Sequence, residues 1–142
     1  MKRSWPVETG VAAVVVVAYA WLALTVPSLR TGAGLAVVLT NTSEIAIISA
    51  GMTLVIATGG IDVSVGSIAG LSAIVFGRLM VAAGWSIGPA AAGCIAVGFL
   101  CGAINGLLIA MFQVPPIVAT LAMFAAGRAG AYLLSNGESI SG

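Results

Sequence analysis

Thr58-Gly59-Gly60-Ile61-Asp62-Val63-Ser64-Val65-Gly66 is the stretch on which the fold turns. It separates two apolar runs, residues 45–57 and 65–83. Two adjacent glycines disfavour a helix interior by about 1 kcal/mol each against alanine. Asp62 is the only acid between Glu44 and Glu138. On insertion scales an acid at the centre of a membrane helix costs about 2.5–3.5 kcal/mol. The chain is therefore expected to leave one helix at the glycines, turn, and enter the next with Asp62 or Ser64 as its cap. Two settings satisfy this. One is a helix break at membrane depth, where an ionisable residue marks a functional site. The other is a plain cytoplasmic hairpin. Thr58, Gly59, Gly60, Asp62, Ser64 and Gly66 are the candidate gating residues.

Outward from this stretch the chain is apolar almost throughout. Of its 142 residues, 61% are hydrophobic and only 6% charged, against roughly 25% charged in a soluble domain. So few charges cannot cover a water-facing surface, whereas a lipid solvent needs no cover. A first span is expected over residues 11–26. Lys2 and Arg3 before it should hold the N-terminus in the cytoplasm. Ala18-Tyr19-Ala20 resembles a signal-cleavage motif, but the apolar run continues through Trp21-Leu22-Ala23-Leu24, so an uncleaved span is expected. The second span, 45–57, is short against the ~20 residues needed to cross. It either begins upstream, in the polar patch Thr40-Asn41-Thr42-Ser43-Glu44, or stops inside the membrane. Further spans are expected at 65–83, 90–112 and 117–134, with a polar tail after them. Alternation puts residues 58–64 and 113–116 on the cytoplasmic side and the tail outside. Period-2 alternation is absent, so a barrel is disfavoured. The expected fold is all-α: a polytopic transmembrane helix bundle of about five spans, with a broken or hairpin segment at 58–66.

The fourth span carries Cys94, Gly98, Gly102 and Gly106 at four-residue spacing. In lipid, helices associate largely through close backbone approach, which such a stripe permits. It reads either as a face lining a moving pathway or as static helix packing. A bulky residue at Gly102 should overpack a packed stripe. Asn105, beside the stripe, needs hydrogen-bond partners at that depth. Arg78 lies near a span end and can snorkel. Arg128 lies mid-span and needs a partner or a wet cavity.

Several functions are excluded or left without support. There is no histidine, hence neither the commonest general base nor the commonest zinc ligand. No nucleophile stands beside a base, and no catalytic or metal-ligating set appears. No GxxxxGK[ST] phosphate loop is present, so the chain does not bind ATP in that way. A net charge of +1 gives no case for nucleic acid. Cys94 and Cys101 share one helix about 10 Å apart, too far for a disulfide. They read as small buried apolar residues.

Gly51 to Val75, GMTLVIATGGIDVSVGSIAGLSAIV, closely resembles the signature of monosaccharide ABC-importer permeases, the ribose, xylose, rhamnose and autoinducer-2 type. Val63 stands where leucine is common in that family. Asn105-Gly106-Leu107-Leu108-Ile109 resembles its NGLLI stretch. Pro116, Thr120-Leu121 and Gly127-Arg128 resemble its proline, Thr-Leu and Arg-Gly segment, with Ala129 displacing the second glycine to Gly130. Asn136-Gly137 resembles its polar tail.

The resemblance implies a permease subunit of an ATP-binding-cassette importer, with a second permease subunit as homodimer or homologue. It also implies a cytoplasmic ATP-binding subunit that uses the ATP, and a periplasmic sugar-binding protein. This chain itself would bind no cofactor. Residues 1–142 are expected to be the N-terminal part of one permease domain whose C-terminal half is missing, in the bacterial inner membrane. The competing expectations are an ion-coupled secondary transporter and a membrane fragment that does not transport.

Overall fold

The computed structural model describes residues 7–138. Lys2 and Arg3, on which the orientation of the first span rests, and the last residues of the polar tail lie outside the described residues. Five helices follow in order: α1 (Val7–Thr25), α2 (Gly32–Ala57), α3 (Val65–Gly77), α4 (Ile87–Ala110) and α5 (Pro116–Ser135). A 3-10 turn, Pro27–Arg30, follows α1, and a π turn, Arg78–Ala82, extends α3. With that turn included, all five are long and apolar enough to cross a membrane. No strand occurs among the described residues.

The chain divides into two units, Met1–Ser49 and Ala50–Gly142, and the division falls within α2. In the first unit, Pro27 ends α1 because it cannot continue the hydrogen-bond ladder. Arg30 then folds back, and its guanidinium donates to the carbonyls of Ala23 and Leu24. Those carbonyls lack partners within the helix, and a cation there also complements the negative helix end. Thr31 Oγ1 accepts from Gly34 N–H at 3.1 Å and so starts α2. The second span thus begins upstream of residue 45, as one of the two expectations had it. Its 26 residues run continuously through the polar patch Thr40–Glu44, about 39 Å at helical rise.

In the second unit α3 packs on α4 and α5, and α4 packs on α5. The buried residues are small or polar: Ala90, Ala119, Gly127, Ser64, Ser67, Asn105 and Thr120. Large apolar side chains point outward instead, with Phe99 73% and Leu133 73% exposed. This inverts the arrangement of a soluble core. Lipid solvates those side chains, while the helices meet through small residues. Between α3 and α5 the helices meet closely at Gly127, where an added Cβ would stand 3.0 Å from Ser67 Oγ of α3. At Gly130 it would meet Leu71 at 3.4 Å.

Candidate functional site: the 58–64 turn and its cavity

The turn begins with the end of α2. Gly59 N–H donates to Ile56 O at 2.9 Å and Gly60 N–H to Val55 O at 3.1 Å. This pair of bonds is the Schellman closure, which requires a left-handed residue between helix and exit. Gly59 supplies it at φ +75°, a conformation that costs glycine little. The double glycine is therefore a helix stop. Thr58 Oγ1 donates to Val55 O at 2.7 Å.

Residues 60–64 then run without regular structure into α3, with Ser64 at its N-cap position. The capping differs in detail from the sequence expectation. Ser64 makes no side-chain cap bond to the helix. Asp62 Oδ1 instead accepts from Ser64 N–H at 2.7 Å and from Ser64 Oγ at 2.6 Å. The carboxylate closes a local turn ahead of the helix, a habit of aspartate before helices. Ser64 itself is completely buried. Its carbonyl accepts from Ile68 N–H at 2.9 Å and from Ser67 Oγ at 2.8 Å.

Two other helices hold the turn. From α4, Asn105 Nδ2 donates to Ser64 Oγ at 3.0 Å. From α5, Thr120 Oγ1 lies 2.8 Å from Pro116 O and 3.3 Å from Ile61 O. The relay Asn105–Ser64–Asp62 thus ties α4 to the start of α3, and Thr120 brings α5 against the same turn. Asn105 is 6% exposed, and its Oδ1 has no hydrogen-bond partner. A buried acceptor left unpaired costs about 1–3 kcal/mol.

Asn105 is also among the residues that line a cavity of about 470 Å³. The turn supplies one wall through Thr58, Gly59, Gly60, Ile61 and Asp62, with Val55 above it. α4 supplies Gly102, Asn105, Gly106 and Ile109, and α5 supplies Pro116 and Thr120. The glycine stripe of α4 divides here. Gly98 lies in contact distance of Ser72, at 3.7 Å from an added Cβ, whereas Gly102 and Gly106 have nothing within 4 Å. Within this chain Gly102 and Gly106 border the cavity, and a Cβ added at Gly102 meets no neighbouring atom within 4 Å.

Gly66 and Arg128 stand apart from this cavity. With Gly70 and Phe124 they border a shallow groove of about 280 Å³ between α3 and α5. Arg128 is exposed, and no ion pair joins it to another of the described residues. Arg78 is also exposed, at the junction of α3 and the π turn. Cys94 and Cys101 are free thiols and half-buried. No group of three or more histidine, cysteine, aspartate or glutamate side chains that could hold a metal occurs among the described residues.

Thr120, Ser67 and Gly127 carry contacts that residue types alone do not announce. Thr120 had one usable signal, the Pro116-x-x-x-Thr120 spacing, because threonine bonds the carbonyl four residues back. Gly127 lacks a glycine at four-residue spacing, so a stripe search passes over it.

Residues 34–141 match the family described as "Branched-chain amino acid transport system / permease component". The chain belongs to this permease family. Among curated proteins it is 38% identical over 104 residues to the galactofuranose transporter permease protein of Escherichia coli (strain K12), covering 73% of this chain and 30% of that protein. It is 34% identical over 133 residues to the L-arabinose ABC transporter permease protein of Azospirillum brasilense, covering 94% of this chain and 39% of that one. It is 38% identical over 108 residues to the autoinducer 2 import system permease protein of Escherichia coli (strain K12 / DH10B), covering 76% and 31%. The chain therefore spans between 30% and 39% of the length of these relatives. No solved structure matches it. With five candidate spans and this membership, it is a multi-pass membrane protein of a permease family.

Proposed function

We propose that this chain forms part of the translocation pathway of an ATP-binding-cassette importer for a monosaccharide or related small polar solute. The observation that carries the reading is the similarity, over most of this chain, to permeases named for galactofuranose, L-arabinose and autoinducer 2 import. The cavity beside the break between α2 and α3, with Thr58, Asp62, Asn105 and Thr120 among its lining, is consistent with a pathway for a small polar solute. The chain is not an enzyme in this reading and holds no cofactor. A cytoplasmic ATP-binding subunit uses the ATP, a second permease subunit completes the pathway, and a periplasmic sugar-binding protein delivers the solute. The setting is the bacterial inner membrane, with the N-terminus in the cytoplasm and residues 58–64 and 113–116 on the cytoplasmic side.

Co-expression with a second permease subunit, an ATP-binding subunit and a binding protein tests this. The expected result is co-purification of the ATP-binding subunit and vanadate-sensitive sugar uptake that ionophores leave intact. Ionophore-sensitive, vanadate-resistant uptake would identify an ion-coupled carrier instead. Neither co-purification nor uptake would leave a membrane fragment without transport.

A further inference from the structure

We infer that Arg128 of α5 pairs with Glu44 of α2 in a second copy of this chain, so that two identical ion pairs join the copies deep in the membrane. The inference rests on the proposed second permease subunit: it takes that subunit to be another copy and names the contact.

Only two charged residues of this chain stand deep inside a span. Glu8 lies in the first turn of α1, Glu138 follows α5, and Asp62 is engaged by Ser64 in the turn. Arg30 donates to the carbonyls that end α1. Arg78 opens the π turn near the end of its span, and Lys2 and Arg3 precede the first span. That leaves Glu44 and Arg128, the thirteenth residues of α2 and of α5. Both are exposed, and neither side chain forms an ion pair or hydrogen bond with another described residue. A lone charge at that depth is costly, and charges inside spans pair or face water. Snorkelling relieves a long arginine, but the short stem of glutamate does not reach the headgroups.

The acid and the base stand at matching depths. Beyond Glu44, α2 runs 13 more residues to the 58–64 turn, ~20 Å at helical rise, and 12 residues of α5 precede Arg128, ~18 Å. Those two helix ends border one cavity, where Val55 and Thr58 face Pro116. Two copies inserted with the same orientation keep these depths. A two-fold axis along the membrane normal then sets each Arg128 against the partner's Glu44. In a low dielectric such a pair attracts far more strongly than at a water-facing surface.

Both surfaces are open to a partner. No residue of α2 is buried. Beside Arg128, Gly66 and Gly70 of α3 border the groove of about 280 Å³, and an added Cβ at either meets nothing within 4 Å. Helices in lipid associate where small residues let backbones approach. The groove therefore admits a helix, and Arg128 selects one with a carboxylate at its own depth.

The test uses the full chain in the membranes of a bacterial host, with its own thiols removed by Cys94→Ala and Cys101→Ala. One tagged copy carries Ile48→Cys and a differently tagged copy carries Phe124→Cys. These positions lie one turn from Glu44 and from Arg128, each toward the 58–64 turn. Oxidation with copper phenanthroline should give a disulfide-linked dimer bearing both tags. Arg128→Glu in both copies should lower its yield by about tenfold, because like charges set face to face oppose association. Glu44→Arg alone should do the same, and the two reversals together should restore the parent yield. That restoration keeps the test valid if a single reversal misfolds, since a second reversal rescues the first only where the two residues meet. Absence of a dimer bearing both tags, a yield unmoved by Arg128→Glu, or no recovery in the double reversal overturns the inference. If it falls while the ATP-binding subunit still co-purifies, the importer reading stands with a different contact between its subunits. If co-purification and uptake fail as well, both fall.

Discussion

Two glycine-bearing surfaces of the second unit have opposite fates. On α5, Gly127 and Gly130 meet Ser67 and Leu71 of α3 at 3.0 and 3.4 Å from an added Cβ. On α4, Gly102 and Gly106 have the four-residue spacing usually read as a packing motif, yet they meet nothing and border the cavity. The absence of a side chain serves contact in the first place and space in the second. Spacing alone therefore does not separate a seam from a floor. What separates them is the opposing surface: α3 offers Ser67, whose hydroxyl is folded back onto Ser64 O, whereas opposite the lower stripe the chain has turned away through 58–64.

The sharpest way to break this comparison is to place leucine on both surfaces. Gly127→Leu drives a branched side chain into Ser67 and should destabilise the second unit by about 1–3 kcal/mol, the usual range for overpacking. Thermal unfolding in detergent, followed by circular dichroism, should show a clear drop in midpoint. Gly102→Leu should leave that midpoint within about 0.5 kcal/mol of the parent, as for surface changes away from packed features. Equal loss from the two would mean that the α4 stripe is packed as tightly as the seam.

A middle-sized effect is expected at the turn that parts the two surfaces. Asp62→Ala removes the acceptor for Ser64 N–H and Oγ. Bonds to a charged group contribute about 1.5–3 kcal/mol when buried, and Asp62 is half-buried, so a cost near the lower end is expected. Asp62→Asn keeps an acceptor oxygen and should cost less than about 1 kcal/mol. In a complete permease carrying this segment, the asparagine variant should retain much of its transport and the alanine variant lose more. Equal and total loss in both, with folding and ATP-subunit docking intact, would replace the turn-holding role by a charge-dependent one.

The smallest expected effect is at α4's outward side. Phe99→Leu keeps an apolar group in lipid and should shift the midpoint by less than about 0.5 kcal/mol. A larger loss would show that this side is covered by another helix.

Much of the fold was legible in the residues because the bilayer allows few solutions. Five apolar runs and scarce charge demand helices, since every backbone group must be satisfied within its own segment. Gly59-Gly60 and Asp62 located the break between α2 and α3 because local chemistry decides it: a left-handed glycine closes one helix, and a short carboxylate prepares the next. The span of α2 was not settled in this way. The polar patch at 40–44 made its start ambiguous, and Thr31 with Gly34 placed it upstream.

The sequence by itself determined that this chain is a membrane helix bundle, where it breaks, and which permease signature it carries. Those properties depend on composition and on neighbours within a few residues. Only the tertiary structure decided that Asn105 reaches Ser64 across 41 positions, that Thr120 approaches Ile61 across 59, and that Gly127, unlike Gly102, lies against a neighbouring helix. The physical reason is that small residues are permissive. A glycine or serine can lie against a neighbouring helix or border a void, and only the opposing helix determines which of the two occurs.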